Sequence, residues 1–421
     1  MPPNPLAVIR THWFPGLPAL HVGPALGGGF SGSTVVAVRD PLGRALVLKS
    51  FSTGTTPTRA AFVHRLMTHL ADRGLVFVPR LVPPLVPTVD AARPLEPRPG
   101  EPLSGEPSSD APRTVATDDA GVLWELATHM PGSATTHPTL PQALSAMTTL
   151  ASLHTAAEHL PDHPATIAPA PAHERRITAA RRIVASPWHR LLTEESEETA
   201  DRSAGHSRGG PGPYSPLSPN GPLGTTDPLS AAVAARLAAV APRLATPRVT
   251  RWLEAVATSQ AVAVPLIPVI RDLRADHVLF TTGAGNSPDP HHLSDAATGP
   301  AVSGVVDFHA AAIDTPATDL ARLLGDWESA EGCGACGGFL AEWGAATERY
   351  QATRRLSQKE LGLIPWLAAT GVVFGLDQWF RWILVEGRRF ADAEEVVRRI
   401  DRLVERVGPA LEWLEGRPAP V

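Results

Sequence analysis

Pro268-Val-Ile-Arg-Asp272-Leu-Arg-Ala-Asp-His277-Val-Leu-Phe280 is the stretch that decides how this 421-residue chain reads. It opens at the end of an apolar run, 262–270, with the length and composition of a buried strand. That strand delivers Asp272 into a short polar loop. His277 follows and leads straight into a second apolar run, 278–281, and a third, 302–306, presents Asp307 at its end. Phosphoryl transfer needs a set of this kind: a carboxylate beside the acceptor hydroxyl, and side chains that hold a divalent cation against the phosphates. The plainer reading is a β-meander with solvated acids at its turns. What lies upstream separates the two.

Upstream, Gly27-Gly28-Gly29-Phe30-Ser31-Gly32 matches G-x-G-x-x-G. A dinucleotide-binding loop of that spelling opens a helix. Here the glycines lead into Ser33-Thr-Val-Val-Ala-Val38, a β-branched run that reads as a strand and argues against a Rossmann-type oxidoreductase. A Gly loop between two strands is how a kinase covers nucleotide phosphates. The phosphate-loop signature, with Lys directly after its last Gly, is absent. Lys49 lies on the next predicted strand instead. Of 37 basic residues only Lys49 and Lys359 are lysines, so a lysine kept at this place is singled out. Its compact ammonium suits phosphate oxygens.

The rest of the chain supplies a frame. With 43% hydrophobic and 19% charged residues it can bury a core, and a net charge of −5 without a basic tail argues against nucleic-acid binding. Asp40-Pro-Leu-Gly43 reads as a hairpin turn, and 58–74 as a helix with Phe62, Leu66 and Leu70 on one face and Gly74 as its stop. Residues 78–89 are strand-like, but four prolines confine them to an edge; 90–112, with six more, read as a mobile loop. A short strand, 121–127, ends at Met130-Pro-Gly132, and 141–160 form an amphipathic helix bearing Leu144, Met147, Ala151 and His154. Residues 193–229, acidic and then rich in Gly, Pro and Ser, read as disordered, and helical patterns resume at 230–259. His291 and His292 lie in a polar loop, and from 316 onward the pattern is helical, with Trp327, Trp343, Trp366, Trp379, Trp382 and Trp413. Cys333 and Cys336 lack the partners of a structural zinc site and read as thiols in a loop between helices. No signal segment and no apolar run of about 18 residues is evident, so a cytoplasmic protein without a membrane partner is expected. Oligomeric state leaves no trace.

These motifs resemble the aminoglycoside phosphotransferase-like superfamily of small-molecule kinases. Its loop usually reads H-G-D-x-x-x-x-N and its metal motif [IV]-D-[FW], against Ile270-Arg-Asp272 to His277 and Val306-Asp-Phe308 here. Ala127-Thr-His-Met-Pro-Gly132 looks like its hinge, Leu150-Ala-Ser-Leu-His154 like its L-x-x-L-H helix, and Asp319-Leu-Ala-Arg-Leu323 like its D-L-A segment. More narrowly, the stretches resemble an actinobacterial and planctomycete branch. The resemblance implies an α+β, protein kinase-like fold of two lobes. Residues 1–127 would form a small antiparallel sheet lobe with the Gly loop, Lys49 and a Pro-rich insertion over 83–117. Residues 128–421 would form a larger, mainly helical lobe. It implies ATP and Mg2+ as cofactors, a nucleotide and a small hydroxylated molecule as partners, and transfer of the γ-phosphate to that hydroxyl. Gly27, Gly29, Phe30, Ser31, Gly32 and Lys49 would hold the phosphates, and backbone groups of Thr128 and Met130 the adenine. Asp272 would be the catalytic base, and Asp307 a metal ligand with His277 in the place of the family's metal-binding Asn. Asp319 would brace the catalytic loop and His154 pack in the core.

Three departures matter. Ile270 and Arg271 replace the usual His and Gly, and His277 replaces an oxygen-bearing Asn. Mg2+ prefers oxygen ligands, so His277 contacts phosphate, or weakens a second Mg2+ site, or favours Mn2+. No acidic residue lies between Lys49 and Asp72, where kinases place the helix Glu that holds the Lys. The alternative is therefore a pseudokinase, a nucleotide-binding regulatory protein. The acceptor is open. Asp314, Asp326, Glu328 and Glu331 could form an acidic face for polycationic sugars, while choline, sugars or homoserine are equally allowed. Lys49→Arg keeps the charge, yet is expected to impair ATP affinity and turnover in a coupled kinase assay. Unchanged values would remove the nucleotide site from this strand.

Overall fold

Alternation of β-branched and polar residues produces the first sheet. In β2 (Val35–Arg39) and β3 (Ala45–Ser50), Val36, Val38, Leu46 and Leu48 point to one buried side. The computed structural model describes residues 4–16, 21–25, 32–85, 114–187, 227–281, 301–327, 336–390, 392–415 and 417. With β1 (His21–Ala25), β4 (Val115–Thr117) and β5 (Leu123–Thr128), the two strands form an antiparallel sheet in the order β1-β2-β3-β5-β4. Gly43, at φ +80°, closes the β2–β3 turn. Helix α1 (Pro5–His12) lays Val8 and Ile9, with Trp13 beyond its end, against the apolar side of this sheet around Trp124 and Leu126. Helix α2 (Pro57–Asp72) is capped by the Thr56 side chain and stops before Gly74, at φ +83°.

The second lobe is mainly helical. Its helices are α3 (Leu140–Ala157), α4 (Pro171–Ala185), α5 (Pro228–Leu244), α6 (Pro247–Thr258), α7 (Ala317–Asp326), α8 (Cys336–Gln351), α9 (Gln358–Phe380) and α10 (Ala393–Glu415). Two small antiparallel sheets sit among them: β6 (Thr166–Pro169), β7 (Ala263–Val269) and β10 (Ala312–Asp314) in the order β10-β7-β6, and the pair β8 (Val278–Phe280) and β9 (Val302–Val305). Leu150, Leu153, Leu320, Leu323, Trp366, Val373 and Phe380 belong to one continuous core. The architecture is a protein kinase-like α+β fold of two lobes. The span Gln358–Val385, α9 with a π turn behind it, is long and apolar enough to cross a membrane by composition, and it lies mostly buried in the centre of this lobe.

Most expected elements are present, with several differences. β4 lies inside the span 83–117 expected to be an insertion, as a short edge strand beside β5. Of the expected strand 78–89, residues 78–85 are described and form no strand; they contribute the bridge Leu81–Ala127 and backbone hydrogen bonds between Val82 and Leu126 and between Thr128 and Arg80. The prolines there remove the ladder donors a strand requires. The predicted disordered segment 193–229 ends earlier, because Asp227 caps α5 and Pro228 occupies its first turn. Residues 90–112, His291, His292 and Cys333, all expected in loops, lie outside the described residues, while Cys336 opens α8 rather than lying in a loop. Helices α1 and α4 were not foreseen. α4 carries its apolar side on few residues, chiefly Ile177, Ala180 and Ile183, among arginines.

The lobes are joined where the chain turns at Gly132. Ser133 exchanges backbone hydrogen bonds with Phe280 (3.1 and 2.9 Å), tying the connection to β8. Gly132 sits at φ +112°, and a Cβ there would lie 2.7 Å from the Phe280 carbonyl oxygen and against Ser303 Oγ. Gly132→Ala is therefore expected to destabilise the protein by about 2 kcal/mol or more. Thermal unfolding would read this as a lowered Tm, and an unchanged Tm would contradict the close approach.

Candidate active site

The catalytic-loop segment is shaped by one buried acid. Asp319, in the first turn of α7, accepts hydrogen bonds from the backbone N–H groups of Ile270 (2.8 Å) and Arg271 (2.5 Å). It also accepts from His154 Nε2 (3.1 Å), whose Nδ1 meets the Tyr350 hydroxyl at 2.8 Å. His154 and Asp319 are both fully buried, so the expected core role of the one and bracing position of the other match the geometry. Held from below, Arg271 adopts φ +70°, a left-handed conformation that costs a side-chain-bearing residue about 1–2 kcal/mol. The turn sends Asp272 outward. Its side chain is about half exposed, and Oδ1 accepts from Arg322 Nε at 2.9 Å.

Asp307 reaches the same place from β9. It too is left-handed, at φ +64°, immediately before a single turn of 3-10 helix, 308–310. Lys49 Nζ donates to Asp307 Oδ1 at 2.6 Å, a contact between residues 258 positions apart that joins the two lobes. His277 Nε2 lies 3.6 Å from Asp307 Oδ2. Burial alone would raise the Asp307 carboxyl, but Lys49 and His277 outweigh it and hold the group down at about 2. The His277 ring is oriented by its other nitrogen, where Nδ1–H donates to the Asp272 carbonyl at 2.9 Å. In the neutral ring this leaves the lone pair on Nε2, on the side of Asp307. A histidine fixed through Nδ1 to a backbone carbonyl, with Nε2 beside a carboxylate, has the arrangement of a metal-ligating imidazole. Among the described residues no group of three or more His, Cys, Asp or Glu side chains gathers so as to hold a metal ion, so a divalent cation held here would take its remaining ligands from phosphate and water; the nitrogen would make the pair more congenial to Mn2+ than an all-oxygen set.

Asp272, His277, Asp307 and Lys49 are thus brought together. Gly32, at φ +72°, stands just before β2, while Gly27, Gly29, Phe30 and Ser31 lie outside the described residues. Thr128 ends β5, and its N–H is already given to the Arg80 carbonyl at 2.9 Å. Met130 has both backbone polar groups unpaired among the described residues and packs against Gly304, where a Cβ would come within 2.7 Å of Met130 Cβ. Of the acids suggested as a face for polycations, Asp314 is wholly buried and bound to Arg175 (2.7 Å). Asp326 accepts from the Ala275 N–H at 2.9 Å, and Glu328 and Glu331 lie outside the described residues. Asp314, sealed in the core, adds nothing to an acidic face.

The missing helix acid has a counterpart that the sequence did not reveal. Glu125, paired in register with Lys49 across β3 and β5, is buried and accepts from His64 Nε2 (2.7 Å) on α2 and from His309 Nε2 (3.0 Å). Phe51 stacks on His309 with ring centroids 4.0 Å apart, and Arg59 donates to the His309 carbonyl at 3.1 Å. The helix contributes a histidine and the strand the carboxylate, the reverse of the expected order. Together they tie α2 to the segment that follows Asp307.

The fold and this cluster define a kinase-like phosphotransferase. The chain belongs to the phosphotransferase enzyme family, whose model matches residues 23–356. Comparison with curated protein sequences found no match. Among solved structures, the spectinomycin phosphotransferase bound to ADP and spectinomycin is similar with a TM-score of 0.50 at 11% identity, over 97% of this chain and 99% of that one. An aminoglycoside phosphotransferase from Alicyclobacillus acidocaldarius (TM-score 0.46, 14% identity) covers 99% and 96% of the two chains. A choline/ethanolamine kinase family protein from Mesorhizobium loti (TM-score 0.43, 14% identity) covers 96% and 95%.

Glu125 yields a pH prediction. Burial works to raise its pKa, but His309 and His64 overcome this and hold the group well below the ordinary 4.5. A depressed folded value contributes stability that is present above about 4.5 and is lost as pH falls through the folded value. Urea unfolding of the wild type and Glu125→Gln is expected to show a wild-type advantage near neutral pH that shrinks on acidification below that point. A pH-independent difference would overturn the assignment.

Proposed function

We propose that the chain is an ATP-dependent kinase that transfers the γ-phosphoryl group to a hydroxyl of a small molecule. The reading rests on one observation above all: Asp272, His277, Asp307 and Lys49, scattered through 259 positions of sequence, meet at the junction of the lobes. When bound, ATP would supply the phosphoryl group, and a divalent cation held by Asp307 and His277 would neutralise its charge. The acceptor oxygen forms its bond to phosphorus as the bond to the departing ADP oxygen breaks, and the hydroxyl proton passes to Asp272. One oxygen of that carboxylate is held by Arg322, which leaves Oδ2 to orient and receive the proton. Lys49, paired with Asp307 at 2.6 Å, can turn its ammonium to the phosphates. Met130, with its backbone groups unpaired, is the better of the two candidates to meet the adenine; Thr128 keeps only its carbonyl for that purpose.

The pseudokinase reading draws on the absent helix Glu. The His64–Glu125–His309 cluster speaks against it, because α2 is fastened to the sheet and to the segment behind Asp307 by other means. The test is ATP consumption with hydroxylated metabolites, comparing the wild type with Asp272→Asn. A loss of about a hundredfold to ten-thousandfold is expected. Binding of ATP without any Asp272-dependent turnover would establish the pseudokinase. Restoring an oxygen donor with His277→Asn is expected to raise activity with Mg2+ relative to Mn2+ by several-fold. An unaltered metal preference would remove His277 from the metal site.

A further inference from the structure

One face of α7 carries three charged side chains that all act on the catalytic loop. Asp319, Arg322 and Asp326 are spaced i, i+3 and i+7, so they line a single side of this ten-residue helix. Each meets the loop at a different point, in the order of the loop itself. Asp319 accepts the N–H groups of Ile270 and Arg271, Arg322 Nε donates to Asp272 Oδ1 at 2.9 Å, and Asp326 Oδ2 accepts the Ala275 N–H at 2.9 Å. The helix thus grips residues 270–275 by the backbone at both ends and by a side chain in the middle. Only the middle contact touches the group that would take the proton.

Asp326 is at odds with its own helix. It is the last residue of α7, where an acid faces the negative end of the helix dipole. Compensation comes from outside that turn: the Ala275 N–H, and Arg399 Nη2 on α10 at 3.9 Å. Burial works to raise the Asp326 carboxyl, but Arg322 and Arg399 outweigh it. Arg322 is thus shared by two carboxylates, Asp326 on its own helix and Asp272 on the loop. The Arg322–Asp272 pair itself does little for stability. Its side chains are 36% and 48% exposed, and pairs so exposed contribute about 0–1 kcal/mol. What it changes is freedom. A half-exposed Asp on a loop samples several rotamers, and a guanidinium bound to one oxygen removes the rotation that would interchange Oδ1 and Oδ2.

We propose that Arg322 is a positioning residue for phosphoryl transfer, holding the Asp272 carboxylate in the orientation that turns Oδ2 to the acceptor hydroxyl. This rests on the reading of Asp272 as the base. In that step the acceptor oxygen bonds to the γ-phosphorus, the bond to the ADP oxygen breaks, and the hydroxyl proton goes to Asp272 Oδ2. Arg322 acts on the reaction through Asp272 alone. Without it the carboxylate must find its orientation anew in each turnover, which lowers kcat and leaves nucleotide binding as it was.

The experiment compares the full-length wild type with Arg322→Ala and Arg322→Lys. It follows ADP release from MgATP with water, glucose, choline and homoserine offered in turn as acceptors. Arg322→Ala is expected to lower kcat about tenfold to a hundredfold, with KM for ATP within about twofold of the wild type and little change in Tm. Guanidinium chloride at millimolar concentration is expected to restore part of the loss in Arg322→Ala and to do nothing for the wild type or Asp272→Asn. Arg322→Lys keeps the charge but not the side-on Nε donor, and is expected to fall between the two. A kcat unchanged or raised in Arg322→Ala, a KM for ATP that climbs as kcat falls, or a loss that guanidinium leaves untouched overturns the proposal. If the wild type releases no ADP in a manner that depends on Asp272, the kinase reading fails by itself. Crystal structures of the wild type and Arg322→Ala then still judge the arginine, since an Asp272 carboxylate ordered alike in both overturns its positioning role.

Discussion

A single buried carboxylate sets the geometry on which the site depends. Asp319 takes the N–H groups of Ile270 and Arg271 and the imidazole of His154, so its hydrogen-bond partners are all donors, and both it and His154 are sealed from water. Two adjacent N–H groups can point at one carboxylate only if the chain between them turns sharply. That turn is the left-handed Arg271, and it is why Asp272 emerges from the loop with its side chain about half exposed. The position of α7 at the start of which Asp319 lies, the α3 helix that brings His154, and Tyr350 on α8 all follow as the scaffold of one bond set. Loss of the acid would leave two backbone donors and a histidine unsatisfied in the core, a cost paid in several groups together.

A second set of contacts spans the lobes. Lys49 with Asp307, and Glu125 with His64 and His309, connect β3, β5 and α2 to the segment behind β9. Both sets reach Asp307 or the residues directly after it. The position of α2 and the orientation of the metal-side carboxylate are therefore joined through a histidine stacked on Phe51. The arrangement ties α2 to the sheet with two imidazoles and a strand carboxylate, while Lys49 itself is held by Asp307.

How far the sequence reached depended on the range of the interactions. The strands around Val36, Leu46 and Val269 were legible because their patterns are local, and the turn at Gly43 because its residue type enforces it. The nearness of Asp272, His277 and Asp307 followed from a short loop and the pairing of β8 with β9; Lys49, on another sheet, was singled out by its residue type and the Gly-rich stretch before its strand. Glu125 was not legible: its partners lie 61 and 184 residues away, and only the strand register sets it opposite Lys49. Asp314 misled in the opposite direction. As a letter it is an exposed-looking acid near a loop; in the fold it is a sealed anchor for Arg175. Helix α1 and strand β4 escaped because eight and three residues are too few to carry a period.

The exchange of lysine for arginine has a practical side. Amine-reactive chemistry distinguishes the two cations completely, and apart from its N-terminus this chain offers it two side chains, Lys49 and Lys359. One of them carries the ion pair at the lobe junction and is only 13% exposed. An acylating reagent therefore reads the state of the cleft as a single mass increment on a single peptide, with almost no competing signal from the surface. The scarcity of lysine thus makes the amine at the lobe junction selectively addressable among the side chains of this protein.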